Sequence, residues 1–550
     1  MTKQEHLEAR IGTGLYTVGT VYHEAALDGN QLRYEWMVDA VDTTGEAFLG
    51  LTVRCARCHD HKFDLVSQTD YHRLMAVFAG TEIRRVPVVN KMSEFGFYSS
   101  YPNQLKVFEY QAAVKRLDDD VRQRVIDEIT AEFPADMVEV FRIPKAKRTK
   151  DQELKVIPIE RAITEAGLRE NAAGYKRALP YTPEERDRRS TLITELGKAA
   201  AVASFELPSA TVLGHSDVVY PVHLTSRGDW RSKGEVVTPG VPVALSSGDK
   251  FDFAEPADRT FVPERRKKFA EWLTDPDHPL TARVMVNRIW QGHFGRGLVS
   301  TPNNFGRQGQ PPTHPKLLDW MATEFVRQGW SIKKLHKQIL LSNAYQMSTA
   351  YSAEAAAIDP ENEYLWRMNR RRLEAEMLRD SVLAVSGTMN WKSGGRPVLP
   401  PLTQEERLGM WDADDWPESL NPEDHNRRSV YIFVKRQFLY PMFTTFDVPD
   451  SSTNCGRRDI TTVAPQALTM LNGDFMIEKA AAFASRLRDE YGDTPEAWVD
   501  GAWNLAFARS PSDQERQGAL EMFTESSAAD SELTRFALMI FNLNEFLYVD

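Results

Sequence analysis

Two cysteines three positions apart, followed at once by a histidine, are the most constraining feature of this sequence. The stretch is Cys55-Ala56-Arg57-Cys58-His59. This spacing is typical of c-type haem attachment, in which both thiols form thioethers with the haem vinyl groups and the adjoining imidazole binds the iron. The chain has three cysteines in all, so two of them lie in this motif. We therefore interpret Cys55, Cys58 and His59 as a covalent haem c site, with His59 as the iron ligand.

The residues that follow the motif keep a second interpretation open. Residues 60–64, Asp-His-Lys-Phe-Asp, contain more metal ligands than haem attachment needs. Cys55, Cys58, His59 and His61 would form a chemically reasonable tetrahedral site for zinc or another divalent metal, although such sites usually draw their ligand pairs from separated segments. A third interpretation is purely structural, with two buried thiols and polar histidines. We rank haem first, metal second and the structural interpretation third.

The haem interpretation makes two demands on the surrounding residues. An iron-bound His59 needs its other ring nitrogen fixed by a carbonyl or a carboxylate, and Asp60 lies too close in sequence to be assigned that role. A sixth iron ligand is not identifiable from the sequence. The candidates are Met75, Met92, His72 and His23, and an open coordination position is equally compatible.

Length, charge and the N-terminus bound what the rest of the chain does. A chain of 550 residues is too long for one hydrophobic core and predicts two or more domains. A net charge of -11 argues against nucleic-acid binding. No apolar run approaches the ~20 residues of a transmembrane helix. The start of the chain is polar and carries no signal peptide. Because haem c attachment takes place outside the cytoplasm, we expect the chain to be N-terminally truncated and its full-length form to be periplasmic or otherwise extracytoplasmic.

Hydrophobic periodicity predicts a mainly α, multidomain protein. Residues 1–100 form a helical N-terminal unit with the cysteine motif, and residues 101–205 form a helical spacer. Residues 206–258 are rich in valine, threonine, glycine and proline, which indicates a small β module and a linker. Residues 259–550 form a larger helical domain.

Further polar segments suggest a glycan site. The loop 295–314 is rich in glycine, asparagine and proline, and a ligand-binding role and a structural role are about equally expected for it. Trp411 and Trp416 accompany a group of acidic residues, which would suit sugar stacking beside carboxylates. These acids are Asp412, Asp414 and Asp415. The third cysteine, Cys455, has no histidine near it in the sequence and is interpreted as a small buried residue.

Both ends of the chain carry longer motifs that resemble known domains. Residues 42–45, 48–52, 55–64 and 70–71 are similar to the end of the planctomycete cytochrome-C-like domain. The C-terminal half resembles the planctomycete-specific domain of unknown function that usually follows it. The matching motifs there are residues 272–276, 286–291, 294–299, 302–306, 371–376, 461–468 and 544–550. The resemblance implies large exported proteins whose activity is unsettled.

Motif and resemblance together define the expected functions. The first is a c-type haem-binding redox or electron-transfer protein, whose partner is a redox protein or a glycan. The first alternative is a binding or scaffold protein stabilised by zinc or another non-haem metal and linked to polysaccharide processing. The second alternative is a glycan-acting hydrolase that uses the acids around Trp411. The sequence leaves open whether the protein is an enzyme, and no catalytic residue is assigned.

Overall fold

The structure is a computed structural model of the chain. It describes residues 9, 11–19, 29–87, 101–166, 179–202, 209–216, 219–246, 251, 253, 262–395, 397–407, 410, 416, 418–419, 421–436, 438–451, 453–523 and 529–549. The chain divides into two compact units. Unit 1 comprises Met1–Ile11 and Arg85–Ala210, and unit 2 comprises Gly12–Arg84 and Thr211–Asp550.

Helices account for 59% of the residues that the structure describes and strands for 7%, which confirms the predicted mainly α, multidomain fold class. In chain order the helices are α1 (Gly29–Thr44), α2 (Gln68–Phe78), α3 (Tyr101–Ala131), α4 (Ala135–Arg142), α5 (Lys150–Glu165), α6 (Pro183–Val202), α7 (Val262–Leu273), α8 (Thr281–Phe294), α9 (Pro315–Arg327), α10 (Ile332–Leu340), α11 (Ala353–Ile358), α12 (Ala375–Val385), α13 (Gln404–Arg407), α14 (Pro441–Thr445), α15 (Ala464–Asn472), α16 (Asp474–Tyr491), α17 (Pro495–Phe507), α18 (Asp513–Leu520), α19 (Ala529–Asn542) and α20 (Asn544–Leu547). Within the described ranges, no helix is both long and apolar enough to cross a membrane.

The strands form three small two-stranded sheets. They are β1 (Thr81–Pro87), β2 (Ser209–His215), β3 (Val222–Thr225), β4 (Lys233–Val237), β5 (Arg371–Arg372) and β6 (Tyr548–Val549). The sheets pair β1 with β2, β3 with β4 and β5 with β6. The pairs β3–β4 and β5–β6 are antiparallel. The short strands β2, β3 and β4 lie within the predicted β-rich module.

Unit 1 is helical in its described part. Its core contains Val121 and Val125 from α3 and Ile159 from α5, all buried. At the surface of these helices, Asp118 accepts hydrogen bonds from Arg189 and from the hydroxyl of Tyr181. The regular spacing of α3 apolar residues between charged ones is what made this long helix predictable.

Unit 2 holds the cysteine motif between two helices. The chain leaves α1 through a π-helical turn (Gly45–Leu49), passes through a 3₁₀ turn (Val53–Arg57) and enters α2. The α2 helix buries Tyr71, Leu74, Met75 and Phe78, which recur at helical spacing. Its N-cap is Ser67, whose side chain accepts the Asp70 N–H. The motif is therefore held at one end by α1 with its π-helical turn and at the other end by α2.

Candidate functional site

The 3₁₀ turn exposes the three motif side chains by burying the residues between them. Val53 and Ala56 are 2% and 0% exposed, so they anchor the turn in the core of unit 2. Cys55, Cys58 and His59 are exposed. Both thiols are free of disulfides. The motif segment therefore presents two thiols and one imidazole to solvent.

The ring of His59 is held at one nitrogen by a backbone carbonyl. Its Nδ1 lies 2.7 Å from the backbone carbonyl oxygen of Asp60. A carbonyl oxygen only accepts, so Nδ1 carries the proton and Nε2 keeps its lone pair. Asp60 therefore does fix the ring, through its carbonyl instead of its carboxylate. The carboxylate accepts the Gln68 N–H at 2.8 Å.

The thiol of Cys58 lies against a glycine that is distant in sequence. Gly228 has a φ of 72°, and a Cβ added there would lie 2.7 Å from Cys58 Sγ. That φ lies in the left-handed region and the contact is too short for a side chain, so both observations require glycine at this position. The backbone of the 226–228 turn thus forms one wall beside the second motif thiol.

Polar contacts hold the motif turn in place from two sides. Arg57 donates to both carboxylate oxygens of Glu35, at 3.2 and 3.4 Å, and to the Gly228 carbonyl at 3.3 Å. The Gln68 amide donates to the carbonyls of Arg57 and Thr225, at 3.2 and 2.8 Å. Charge-assisted, two-point contacts of the Arg57 kind restrict orientation more than single hydrogen bonds do. The turn is therefore preorganised by its own unit.

His61 and Asp64 are engaged in structural contacts. The Asp64 N–H donates to His61 Nδ1 at 2.8 Å, so this nitrogen accepts and the proton of the neutral ring is on Nε2. Asp64 Oδ1 in turn accepts the Arg307 N–H at 2.8 Å. Both side chains are less than a tenth exposed. The histidine that the metal interpretation adds to the motif therefore holds a loop, with its accepting nitrogen already used.

In the part of the chain that the structure describes, no group of three or more His, Cys, Asp or Glu side chains is arranged to hold a metal ion. The alternative metal site would use Cys55, Cys58, His59 and His61. These four side chains do not form such a group in the described residues, and the site stays a prediction.

The described candidates for a sixth ligand are not available. His72 is fully buried, with Nδ1 2.9 Å from the Gln68 carbonyl and Nε2 3.0 Å from the Thr225 hydroxyl. Burial lowers the pKa of His72, which keeps the ring neutral. Met75 is also fully buried in the core. His23 and Met92 lie outside the described residues.

Acidic residues that sequence reasoning did not single out lie close to the motif. Asp42, at the end of α1, accepts the Tyr71 hydroxyl at 3.0 Å. Burial raises the pKa of Asp42 to about 6, and the exposed Arg54, 3.7 Å away, opposes this rise only in part. In the sequence, Asp42 could have been noticed as an acidic residue on the same face of α1 as the buried residues Val38 and Val41.

A second acid, Glu46, joins the motif segment to the C-terminal half within unit 2. Its Oε2 accepts the Asn303 amide at 3.0 Å, and its carbonyl accepts Arg288 at 2.8 Å. Arg288 also donates to Asn303 Oδ1 at 2.7 Å. Burial raises the pKa of Glu46 and lowers that of Arg288. These residues form a polar junction, in which Arg288 Nε is buried without a hydrogen-bond partner among the described residues.

We expect Asp42→Asn to stabilise the protein at pH 7 and to have little effect at pH 4. The folded-state pKa of about 6 exceeds the ordinary 3.8, so folding favours the protonated acid. Stability therefore falls as pH rises from about 4 to 6, and the asparagine removes that loss, on the order of 1–3 kcal/mol. Its amide oxygen can still accept the Tyr71 hydroxyl. Urea denaturation at both pH values measures the effect, and equal stabilisation at both would contradict it.

The loop 295–314 uses its polar groups inside the protein. The Phe305 N–H donates to the Gly50 carbonyl at 2.6 Å, and the side-chain oxygen of Asn304 accepts the Gly306 N–H at 3.0 Å. Together with the Asn303 and Arg307 contacts above, this favours the structural role of the loop over ligand binding.

The predicted sugar-stacking tryptophan is a core residue. Trp416 is 0% exposed, and its indole N–H donates to the Pro400 carbonyl at 2.8 Å. The prediction of an exposed stacking surface at Trp416 is therefore wrong. Trp411 and the acids Asp412, Asp414 and Asp415 lie outside the described residues. Cys455, predicted to be buried, is exposed.

Comparison with known families finds two family models that match separate parts of the chain. Residues 265–523 match PSD1, described as a protein of unknown function (DUF1553). Residues 1–83 match PSCyt2, described as a protein of unknown function (DUF1549). Both are domains of unknown function typical of planctomycete proteins, which confirms the resemblance at that level. Neither the curated proteins nor the solved structures contain a match to the chain.

Proposed function

For a chain that joins these two planctomycete domains, we propose a c-type haem-binding redox function, with covalent attachment through Cys55 and Cys58 and iron binding by His59. The observation that carries the proposal is the ring of His59. Its Nδ1 is committed to the Asp60 carbonyl, which leaves the Nε2 lone pair free for iron, and the residue is exposed. A histidine that binds haem iron has this tautomer and this kind of partner.

The remaining features of the turn also suit a covalently attached haem. Both thiols are exposed on one short 3₁₀ turn, and glycine at position 228 leaves room beside the second one. Each thiol adds across a vinyl double bond, so that sulfur bonds one carbon and hydrogen the other, without net oxidation. Bound haem supplies one-electron redox chemistry. The Arg57–Glu35 pair and Gln68 hold the turn that positions the ligand.

Apolar side chains that follow the motif support a role in contact with another molecule. Phe63 is 40% exposed and Leu65 is 81% exposed. Such residues beside an attachment site suit contact with the apolar edge of a porphyrin or with a redox partner protein. Because haem c is attached outside the cytoplasm, the proposal also assigns the protein to an extracytoplasmic compartment.

The test is production of the protein in an exported form, in a host with c-type maturation machinery, followed by a visible spectrum in denaturing alkaline pyridine. We expect a covalent haem signal that survives acid-acetone extraction in the wild type and is lost in the Cys55→Ala/Cys58→Ala variant. Cys455→Ala is the matched control, since it removes an exposed thiol outside the motif. It should keep the full signal.

Two results would overturn the haem proposal. One is an apoprotein from cells in which a known cytochrome c, produced alongside it, is fully loaded. The other is stoichiometric zinc without haem that disappears in the Cys55→Ala/Cys58→Ala variant. The second result would establish the alternative metal-stabilised function.

A further inference from the structure

A cavity of about 530 Å³ lies in the C-terminal part of unit 2, away from the cysteine motif in sequence. It is lined by residues of α12, α13, α14, α15 and α16 and of the segments 400–403 and 422–426. Its volume falls in the range of small-molecule sites, ~300–1,000 Å³. The lining combines apolar side chains such as Pro400, Pro441 and Met442 with the hydroxyls of Thr403 and Thr445.

One wall of the cavity contains a buried cation with only neutral partners. Arg379 is 1% exposed. Its terminal nitrogens donate to the His425 carbonyl at 2.6 Å, the Arg427 carbonyl at 2.9 Å and the Ser429 hydroxyl at 3.2 Å. The Tyr440 hydroxyl also contacts it, and burial raises the pKa of Tyr440, which keeps the phenol neutral.

The positive charge of Arg379 is not met by a carboxylate. It forms no ion pair with any acid in the described ranges, and its Nε is buried without a hydrogen-bond partner there. Asp380 acts on Arg379 electrostatically but is itself engaged by the Ser429 N–H at 2.7 Å and by Arg428. Burial lowers the pKa of Arg379, as expected when a charged form is desolvated.

A second buried cation faces the same cavity. Lys479 is 2% exposed, and its Nζ lies 2.7 Å from Glu478, whose own side chain is 70% exposed. The ammonium group therefore has one acidic partner, which is largely hydrated. Two further acids line the cavity. Glu406 accepts the Thr403 N–H at 2.9 Å as part of a helix cap, and Asp474 is the first residue of α16.

Both cations lie against one aromatic ring. The guanidinium carbon of Arg379 is 5.4 Å from the centre of the Phe475 ring, and Lys479 Nζ is 5.7 Å from it. Two like charges buried against the same ring are unfavourable unless a negative group compensates them. The remaining protons of Lys479 are the donors that such a group would use, and Arg379, whose Nε is enclosed, would act through its charge.

We propose that this cavity binds a small organic carboxylate, with its charged end between Arg379 and Lys479 and its body against Phe475 and the apolar wall. The two buried cations select for negative charge, and the ring and prolines accommodate a flat or apolar body. The proposal is independent of haem attachment, since none of these residues belongs to the cysteine motif.

The test compares benzoate with benzamide, a neutral molecule of nearly the same shape, by isothermal titration calorimetry on the full chain at pH 7. We expect benzoate to bind at least about tenfold more tightly than benzamide, because a charge-assisted contact replaces a neutral one. Lys479→Met should weaken benzoate binding by about tenfold and leave benzamide unchanged. Glu478→Gln should strengthen benzoate binding, because it removes the acid that competes for Lys479.

Lys334→Met, at an exposed position of α10, is the matched control and should leave both affinities unchanged. Circular dichroism checks that each variant is folded, and Lys479→Gln replaces Lys479→Met if the latter is not. The proposal is overturned if benzoate fails to bind at millimolar concentration or binds no better than benzamide. It is also overturned if a folded Lys479 variant binds benzoate as the wild type does.

Discussion

Replacing Trp416 by alanine is expected to lower the free energy of unfolding by ~3–5 kcal/mol, as measured by urea denaturation. The side chain is completely buried. Its ring is stacked with Tyr440 at a centroid distance of 6.4 Å and meets Phe438 at 5.9 Å. Alanine would leave a cavity the size of an indole and would deprive the Pro400 carbonyl of its hydrogen-bond donor.

Trp391→Ala is the matched control for this prediction. Trp391 is 71% exposed, so its removal should change stability by no more than ~0.5 kcal/mol. Trp416→Phe should fall between the two, because it keeps most of the packing and loses the N–H. A Trp416→Ala variant as stable as Trp391→Ala would show that the indole is not a core residue. The glycan-stacking interpretation would then regain support.

The local sequence pattern was sufficient to predict a helix where that helix packs a single face against the core. The spacing of Tyr71, Leu74, Met75 and Phe78 predicted helix α2 and its buried face, because a helix repeats about every 3.6 residues. The Cys-x-x-Cys-His spacing likewise identified the candidate thiols and imidazole without a structure. In both cases the informative residues lie within one or two turns of each other in the chain.

Properties that depend on distant segments were not predictable. The partner of Cys58 is the backbone at Gly228, and Glu46 meets Asn303 and Arg288. The spacing of residues along the sequence does not indicate which distant segments contact each other. Trp416 shows the same limit, since an aromatic residue among acids has the same local pattern whether it is stacked in the core or exposed. The His59 partner was missed for another reason, because sequence reasoning considered side chains and the partner is a backbone carbonyl.

The junction between the two matched regions within unit 2 gives the second large prediction. Gly50 has a φ of 57°, and its carbonyl accepts the Phe305 N–H at 2.6 Å. A Cβ added there would lie 2.7 Å from the Phe305 ring and 2.9 Å from a Val284 methyl group. Gly50 therefore ends the π-helical turn before the cysteine motif and lets the 302–306 loop approach its backbone closely.

We expect Gly50→Ala to lower the free energy of unfolding by about 2–5 kcal/mol. The left-handed conformation costs an alanine ~1–2 kcal/mol, and forcing a methyl group against Phe305 and Val284 costs ~1–3 kcal/mol more. Urea denaturation of the full chain, followed by circular dichroism, measures the loss. Because Gly50 lies just before the motif turn, the same variant should also reduce the yield of covalent haem under the conditions proposed above.

Gly518→Ala is the control for the same chemical change without strain. Gly518 lies inside α18 with nothing within 4 Å of an added Cβ, so alanine there should stabilise the protein by roughly 0.5–1 kcal/mol. A loss at Gly50→Ala that exceeds the ~1–2 kcal/mol of left-handed strain would show that the Gly50 contact joins the motif segment to the C-terminal helices energetically. If Gly50→Ala were as well tolerated as Gly518→Ala, that contact would contribute nothing to stability, and the motif segment would have to be treated as folding independently of the PSD1 region.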